Sequence, residues 1–173
     1  RIRHDGSMEI ELNLDEVRRM VDELLSRHQI EALAVCLLQS FINPDHENKI
    51  RELIDTHYPG LFVSTSASVL PYAREYERWT STVINAFTQP LVDRYLNNIE
   101  HGLKKRGLDG SLYIMTSSGG TVTPATARRF PVRMLESGPA AGVLISAHHG
   151  RRLGIPDVLS FDMGGTTAKG AIV

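Results

Sequence analysis

The strongest constraint on the fold is an alternation of strand and helix patterns in the first third of the chain. Residues 32–38 are apolar throughout, as in a strand covered on both faces. Val17 and the apolar residues that follow it recur at helical spacing. The predicted order is strand, helix, strand, helix and strand, at residues 8–12, 17–25, 32–38, 43–57 and 61–63. This alternation predicts an α/β fold with a mostly parallel sheet and helices packed against it.

Proline and glycine punctuate the rest of the chain. Asn43 and Pro44 predict the N-cap and the first residue of the second helix. Helical spacing dominates residues 73–106, where Pro90 is expected to open a second helix or to kink the first. The later elements are predicted as a strand, a turn, a helix and a strand, at residues 112–115, 119–120, 140–153 and 158–161.

Composition limits the classes of partner. The net charge of −1 gives no bias toward nucleic acid or acidic lipid, and the apolar runs are too short to span a bilayer. A single cysteine, Cys36, agrees with a reducing, cytoplasmic compartment. It lies in an apolar run with no basic neighbour, which favours a structural thiol over a nucleophile. We therefore expect a cytoplasmic protein that binds neither nucleic acid nor membrane.

The chain is expected to be an internal piece of a longer protein. It begins at Arg1 without a methionine and stops at Val173 within a strand-like run. The predicted boundary at residues 70–75 divides it into domains 1–70 and 71–173, with a hairpin at 158–173.

Residues 160–173 carry the clearest chemical signal, which reads strand, glycine turn, strand. Asp162 can hold a hydrated Mg²⁺, and Lys169 can place a positive charge on a phosphate. The candidate nucleotide-binding residues are Gly164, Gly165, Thr166, Thr167 and Lys169. A bare glycine pair would favour a simple tight turn, but aspartate, threonine and lysine beside it favour a phosphate site. The Gly-x-x-x-x-Gly-Lys spacing of a Walker loop is absent.

Three weaker candidates could bind an anion or the substrate. They are the pair Arg74 and Arg78, the turn Ser118, Gly119 and Gly120, and the helix start at Ser137 and Gly138. Each has a plainer interpretation, respectively a solvated helix face, a polar turn and an ordinary helix cap. Trp79 is predicted to pack helices, and the adjacent His148 and His149 point in different directions on a helix, which makes a zinc site unexpected.

The hairpin resembles the first phosphate hairpin of the actin, Hsp70 and sugar-kinase superfamily. The whole chain closely resembles the hydantoinase A and 5-oxoprolinase family in the segments at 70–78, 85–87, 115–120, 131–142 and 161–166. The resemblance implies ribonuclease-H-like layers, ATP and Mg²⁺ as cofactors, and Asp162 as the catalytic, metal-side carboxylate. Many members of the family continue the hairpin with Ser-Thr-Asp where this chain has Thr167-Ala168-Lys169.

The same resemblance implies an ATP-dependent hydrolase that opens a cyclic amide of hydantoin or 5-oxoproline type by phosphorylating its carbonyl oxygen. It also implies a second subunit or a C-terminal region similar to hydantoinase B. Two alternatives stay open: an ATP-gated conformational module like actin and Hsp70, and a subunit like that of acetone carboxylase. The isolated chain is expected to be inactive, because the family's earlier phosphate hairpin is missing.

Overall fold

The computed structural model describes residues 1–173, which group into two compact units, Arg1–Tyr95 and Leu96–Val173. The first unit contains α1 (Leu14–Arg27), β1 (Ala32–Val35), α2 (Asp45–His57), β2 (Phe62–Thr65), α3 (Ser66–Val69) and most of α4 (Glu75–Lys105). Strands β1 and β2 are parallel, in a register that runs from Ala32 opposite Phe62 to Val35 opposite Thr65. Among the helices of this chain, none combines the length and the apolar composition that a bilayer span requires.

The core of the first unit lies between α2 and the two parallel strands. Its buried members are Val35, Ile50, Leu53, Ile54 and Val63. Ile50, Leu53 and Ile54 follow one another at spacings of three and one along α2, so they form one apolar stripe facing the strands. Leu37, which follows β1, is half-buried and packs against this cluster.

The second unit begins within α4 and is built around two short antiparallel hairpins. Its elements are β3 (Ile114–Met115), β4 (Thr121–Val122), α5 (Pro124–Arg129), a 3-10 turn (Pro131–Met134), α6 (Ser137–Leu153), β5 (Leu159–Met163) and β6 (Ala168–Ile172). Helix α6 ends at Gly154, whose φ of 69° is the left-handed conformation that glycine tolerates. At Gly150 an added Cβ would lie 2.7 Å from Val158 Cγ2, so glycine permits α6 to approach the segment leading into β5.

The prediction of a strand at residues 8–12 is wrong. Met8 forms only an isolated bridge with Ile2, and the N–H groups of Glu9 and Ile10 both donate to the Arg1 carbonyl. Ile10 is 57% exposed. An alternating pattern favours a strand only where a neighbouring strand is present, and apart from this one bridge no strand pairs with the segment.

Three other elements differ from the prediction in detail. The strand expected at 112–115 is limited to Ile114–Met115, because only these residues pair with β4. Helix α2 begins after Pro44, and Asn43 Oδ1 accepts the Asp45 N–H at 3.0 Å. Pro90 lies inside α4 and opens no second helix there.

Candidate functional site

The final two strands form the predicted hairpin. They pair in antiparallel register from Leu159 opposite Ile172 to Met163 opposite Ala168. The Gly164 N–H donates to the Thr167 carbonyl at 2.9 Å, which closes a four-residue turn, 164–167. This turn contains four of the predicted nucleotide-binding residues, and all of them are exposed.

The register places the two predicted charged groups directly opposite each other. Asp162 on β5 is the cross-strand partner of Lys169 on β6, so both side chains project from the same face of the hairpin. The other face carries apolar side chains that are exposed, Phe161 and Met163 among them. One face of the hairpin therefore carries a carboxylate and an ammonium group beside the turn.

Lys169 also reaches the beginning of α6. Its ammonium group forms an ion pair with the Glu136 carboxylate, and Glu136 immediately precedes the first helical residue, Ser137. Glu136 has φ 63° and ψ 20°, a left-handed conformation that is uncommon outside glycine, and its side chain does not cap the helix. The local sequence indicates a helix start at Ser137 and Gly138 and gives no sign of an ion pair at Glu136. Its role as the partner of Lys169 comes from the tertiary structure.

The glycine turn has open space around it. A Cβ added at Gly165 would meet no atom within 4 Å, and one added at Gly164 would lie 3.9 Å from the Thr167 carbonyl oxygen. Neither glycine has a left-handed φ. The backbone conformation of this chain therefore does not require glycine at either position. What glycine provides here is a bare backbone that a ligand can approach.

The turn at Ser118–Gly120 has a clear structural explanation. Gly119 has φ 85°, and a Cβ there would lie 2.9 Å from Leu144 Cδ1 in α6. The Ser118 hydroxyl lies 3.0 Å from Thr116 Oγ1, which also donates to the Gly120 carbonyl at 3.0 Å. These contacts account for the residues of the turn, and anion binding by Ser118, Gly119 or Gly120 stays a prediction. The same holds for Ser137 and Gly138 in the first turn of α6.

Comparison with known proteins shows to which family the chain belongs. Residues 78–173 match the model of the hydantoinase/oxoprolinase family, and residues 1–58 match the model of the hydantoinase/oxoprolinase N-terminal region. The chain belongs to the hydantoinase/oxoprolinase family. An uncharacterized protein of Methanocaldococcus jannaschii is 39% identical over 173 residues, all of this chain and 25% of that protein.

Two relatives of this hydantoinase/oxoprolinase chain carry the names of enzymes that act on cyclic amides. Caprolactamase subunit alpha of Pseudomonas jessenii is 30% identical across 96% of the chain and 24% of its own length. The 5-oxoprolinase of Saccharomyces cerevisiae is 33% identical across 86% of the chain and 11% of its own length. The chain thus spans about a quarter, or less, of the length of the relatives it matches.

Solved structures confirm the predicted fold class. The crystal structure of ATP-dependent caprolactamase from Pseudomonas jessenii matches 99% of this chain and 25% of its own with a TM-score of 0.88 at 29% identity. A nucleotide-free acetone carboxylase structure matches 99% of this chain and 24% of its own with a TM-score of 0.82 at 26% identity. This chain therefore has a mixed α/β fold of the actin and Hsp70 type and corresponds to a part of the longer chains in those structures.

The structure separates the two arginines that the sequence grouped together. Arg74 is exposed and pairs with Glu77 at 3.3 Å, as on a solvated helix face. Arg78 is completely buried, so that interpretation is wrong for this residue. Its guanidinium donates to the carbonyls of Tyr72 at 2.6 Å and Leu37 at 3.1 Å, and it lies 5.3 Å from the Phe41 ring centroid. A role for either arginine in substrate binding stays a prediction.

The donor set of the hairpin fits a magnesium ion shared with phosphate. No group of three or more His, Cys, Asp or Glu side chains forms a complete metal cage in the chain. Mg²⁺ typically uses only one or two protein carboxylates and completes its shell with water and substrate phosphates. The exposed Asp162 carboxylate beside an open glycine turn is consistent with that mode of binding.

Proposed function

We propose that the protein carrying this chain is an ATP-dependent enzyme that phosphorylates the carbonyl oxygen of a cyclic amide and then opens the ring with water. The observation that carries this proposal is the single face on which the hairpin presents a carboxylate and a lysine beside a bare glycine turn. The names of the relatives, a caprolactamase and a 5-oxoprolinase, support cyclic amides as the substrate class.

The chemistry explains why ATP is consumed. Resonance makes an amide carbon a poor electrophile, so water alone attacks it slowly. Transfer of the terminal phosphoryl group breaks the bond between that group and ADP and forms a bond to the amide oxygen. The amide carbon then carries a phosphate substituent, which makes it a better electrophile. Water then adds, the carbon–nitrogen bond breaks as the nitrogen takes a proton, and an acyl phosphate results. A second water releases inorganic phosphate and leaves the ring-opened amino acid.

Each residue of the hairpin has a role in this proposal. When bound, ATP supplies the phosphoryl group and Mg²⁺ offsets its negative charge. Asp162 would hold the ion, through water, and the N–H groups and hydroxyls of residues 164–167 would contact phosphate oxygens. Lys169 would exchange the Glu136 carboxylate for a phosphate oxygen, since both are anions that its ammonium group can bind. The contribution of these residues is positioning and charge stabilisation.

We also propose the organisation in which this site operates. Domains 1–70 and 71–173 would belong to two different parts of the longer chain. The relatives named as subunits, caprolactamase alpha and acetone carboxylase beta, support a second subunit as partner. The isolated 173-residue chain is expected to lack ATP turnover, because no opposing phosphate clamp comes from these residues.

The test is a product balance with the full-length protein and its partner subunit. Lactam, ATP and Mg²⁺ should give equimolar ADP and ring-opened amino acid, and hydroxylamine should trap the acyl phosphate as a hydroxamate. Ring opening without ADP would show that the amide is not activated by phosphorylation. ADP formation that is indifferent to lactam would favour an ATP-gated conformational module.

A second candidate is phosphorylation of a ketone for carboxylation. The similarity to acetone carboxylase beta subunit and to acetophenone carboxylase gamma subunit favours it, since a ketone also presents a carbonyl oxygen to phosphate. The two candidates separate in one assay. Incorporation of labelled bicarbonate in the presence of a ketone, with no lactam opening, selects the carboxylase.

A further inference from the structure

The hairpin places two opposite charges side by side without joining them. Asp162 and Lys169 are direct cross-strand partners. Such partners have Cβ atoms about 5 Å apart on one face of the sheet, where opposite charges attract each other. The Lys169 ammonium group nevertheless forms its ion pair with Glu136, and the Asp162 carboxylate has no ion pair. The carboxylate beside the glycine turn is therefore not neutralised by the cation nearest to it in the strand pairing.

The backbone at Glu136 is held in an unusual conformation. Its φ of 63° is left-handed, which is unfavourable for a residue with a Cβ, and such residues cluster at functional sites. The side chain does not cap α6, so the helix start alone does not account for a glutamate at this position. The polar contact that this side chain makes is the one with Lys169, 33 positions further along the chain. Glu136 thus links the start of α6 to strand β6.

Two carboxylates therefore compete for one ammonium group. Lys169 lies opposite Asp162 in the strand pairing and is bound to Glu136 through the tertiary structure. The carboxylate that Lys169 does not bind keeps an unpaired negative charge, which is what Mg²⁺ requires of a protein oxygen ligand. With Lys169 bound to Glu136, that carboxylate is Asp162, which lies next to the glycine turn. The choice of partner made by Lys169 thus decides where a metal ion can bind.

We propose that Glu136 is a positioning residue that holds Lys169 away from Asp162 and so keeps the Asp162 carboxylate free to bind a divalent cation. The inference rests on the proposed role of Asp162 at the phosphate site and adds a residue that acts through Lys169. Without the Glu136 carboxylate, Lys169 is released to its cross-strand partner. A metal ion must then displace an ammonium group from Asp162 before it can bind.

The test measures metal binding and needs no turnover. Mn²⁺, which prefers the same oxygen ligands as Mg²⁺, is titrated into the full-length protein with its partner subunit and without nucleotide, and free Mn²⁺ is followed by electron paramagnetic resonance. The Mn²⁺ binding that is lost in Asp162→Asn defines the site. Glu136→Gln should weaken this binding about fivefold, the size of one exposed ion pair. Asp157→Asn, which removes an exposed carboxylate just before β5, should leave it unchanged.

Two further variants separate the action through Lys169 from other effects. In a Lys169→Gln background, Glu136→Gln should change Mn²⁺ affinity by less than about twofold, because no ammonium group remains to be released. Glu136→Gly removes the carboxylate and suits the left-handed backbone, so its melting temperature should equal or exceed that of the wild type. Glu136→Gly should nevertheless weaken Mn²⁺ binding by the same factor as Glu136→Gln.

Three results would overturn the inference, and they differ in what they leave standing. Wild-type Mn²⁺ affinity in Glu136→Gln, with binding lost in Asp162→Asn, would refute the role of Glu136 and leave the phosphate site intact. Equal weakening by Glu136→Gln with and without Lys169 would show that Glu136 acts through its own charge. Mn²⁺ binding that Asp162→Asn does not change would refute the proposed metal site and this inference with it.

Discussion

Glu47 is the buried residue whose replacement tests the packing of the first unit most sharply. The side chain is completely buried in α2, yet it is a carboxylate. Its Oε1 accepts the Leu37 N–H at 2.8 Å and the Ser66 hydroxyl at 2.7 Å. Its Oε2 accepts the Ala67 N–H at 2.8 Å. Glu47 therefore joins the segments that follow both parallel strands.

Glu47→Gln changes this arrangement without changing its volume. The amide has one oxygen, so its NH₂ must face either the Ala67 N–H or the pair of donors at Leu37 and Ser66. In both orientations one backbone N–H loses its acceptor, and the remaining bonds lose the contribution of the charge. An unsatisfied buried donor costs about 1–3 kcal/mol, and weaker neighbouring bonds bring the total to about 2–4 kcal/mol.

The assay is urea unfolding of the 173-residue chain, followed by the fluorescence of Trp79, its only tryptophan, which lies in the first unit. With a slope of about 2 kcal/mol per molar urea, the midpoint should fall by about 1–2 M. Glu52→Gln, on the exposed side of the same helix, should change stability by less than about 0.5 kcal/mol. A change that small for Glu47→Gln would show that the carboxylate does not hold these segments together.

Three further predictions concern single residues. Leu37→Ala should lower the unfolding free energy by about 2 kcal/mol, near the lower end of the cost of replacing a core leucine by alanine, because the side chain is half-buried. A change below about 0.5 kcal/mol in a urea melt would contradict the packing of Leu37 against the core. Gly165→Ala should leave the melting temperature unchanged, since its added Cβ meets no atom within 4 Å, but it should weaken nucleotide binding measured by calorimetry. The control Gly110→Ala, where an added Cβ also meets no atom within 4 Å, should change neither the melting temperature nor nucleotide affinity. Full nucleotide affinity in Gly165→Ala would refute the phosphate contact. Burial raises the pKa of Cys36 to about 11, so stability should fall above pH 9, where the unfolded thiol loses its proton first, and Cys36→Ala should remove the part of the fall that begins near pH 9.

Local pattern predicted the elements whose partners are close in sequence. The hairpin at 159–172 and helix α6 have their turn and cap residues within the segment itself, so their positions followed from spacing. The segment at 8–12 has an equally regular pattern but gains no strand partner beyond one bridge. Pairing of that kind depends on distant chain segments, which a local pattern does not contain.

In the candidate site too, the local sequence predicts some features, and the others depend on distant parts of the chain. Asp162, the glycines and Lys169 were predicted because they lie within a few residues of one another. The pair formed by Glu136 and Lys169 joins residues 33 positions apart, and nothing in either local sequence specifies it. Arg78 was predicted either to bind an anion or the substrate or to lie on a solvated helix face, whereas the structure buries it against the carbonyls of Tyr72 and Leu37, which only the fold brings near.

The most direct test of the proposed function is the activity of Asp162→Asn in the full-length enzyme with its partner subunit. The substitution keeps the size of the side chain and removes the charge proposed to hold Mg²⁺. Asp157→Asn, an exposed aspartate just before the same strand, is the matched control. ATP-dependent lactam opening should fall at least about a hundredfold in Asp162→Asn, with the melting temperature unchanged, and should stay near wild type in the control. Activity of Asp162→Asn within about threefold of wild type, under 1 kcal/mol of barrier, would contradict the assignment of the hairpin as the phosphate site.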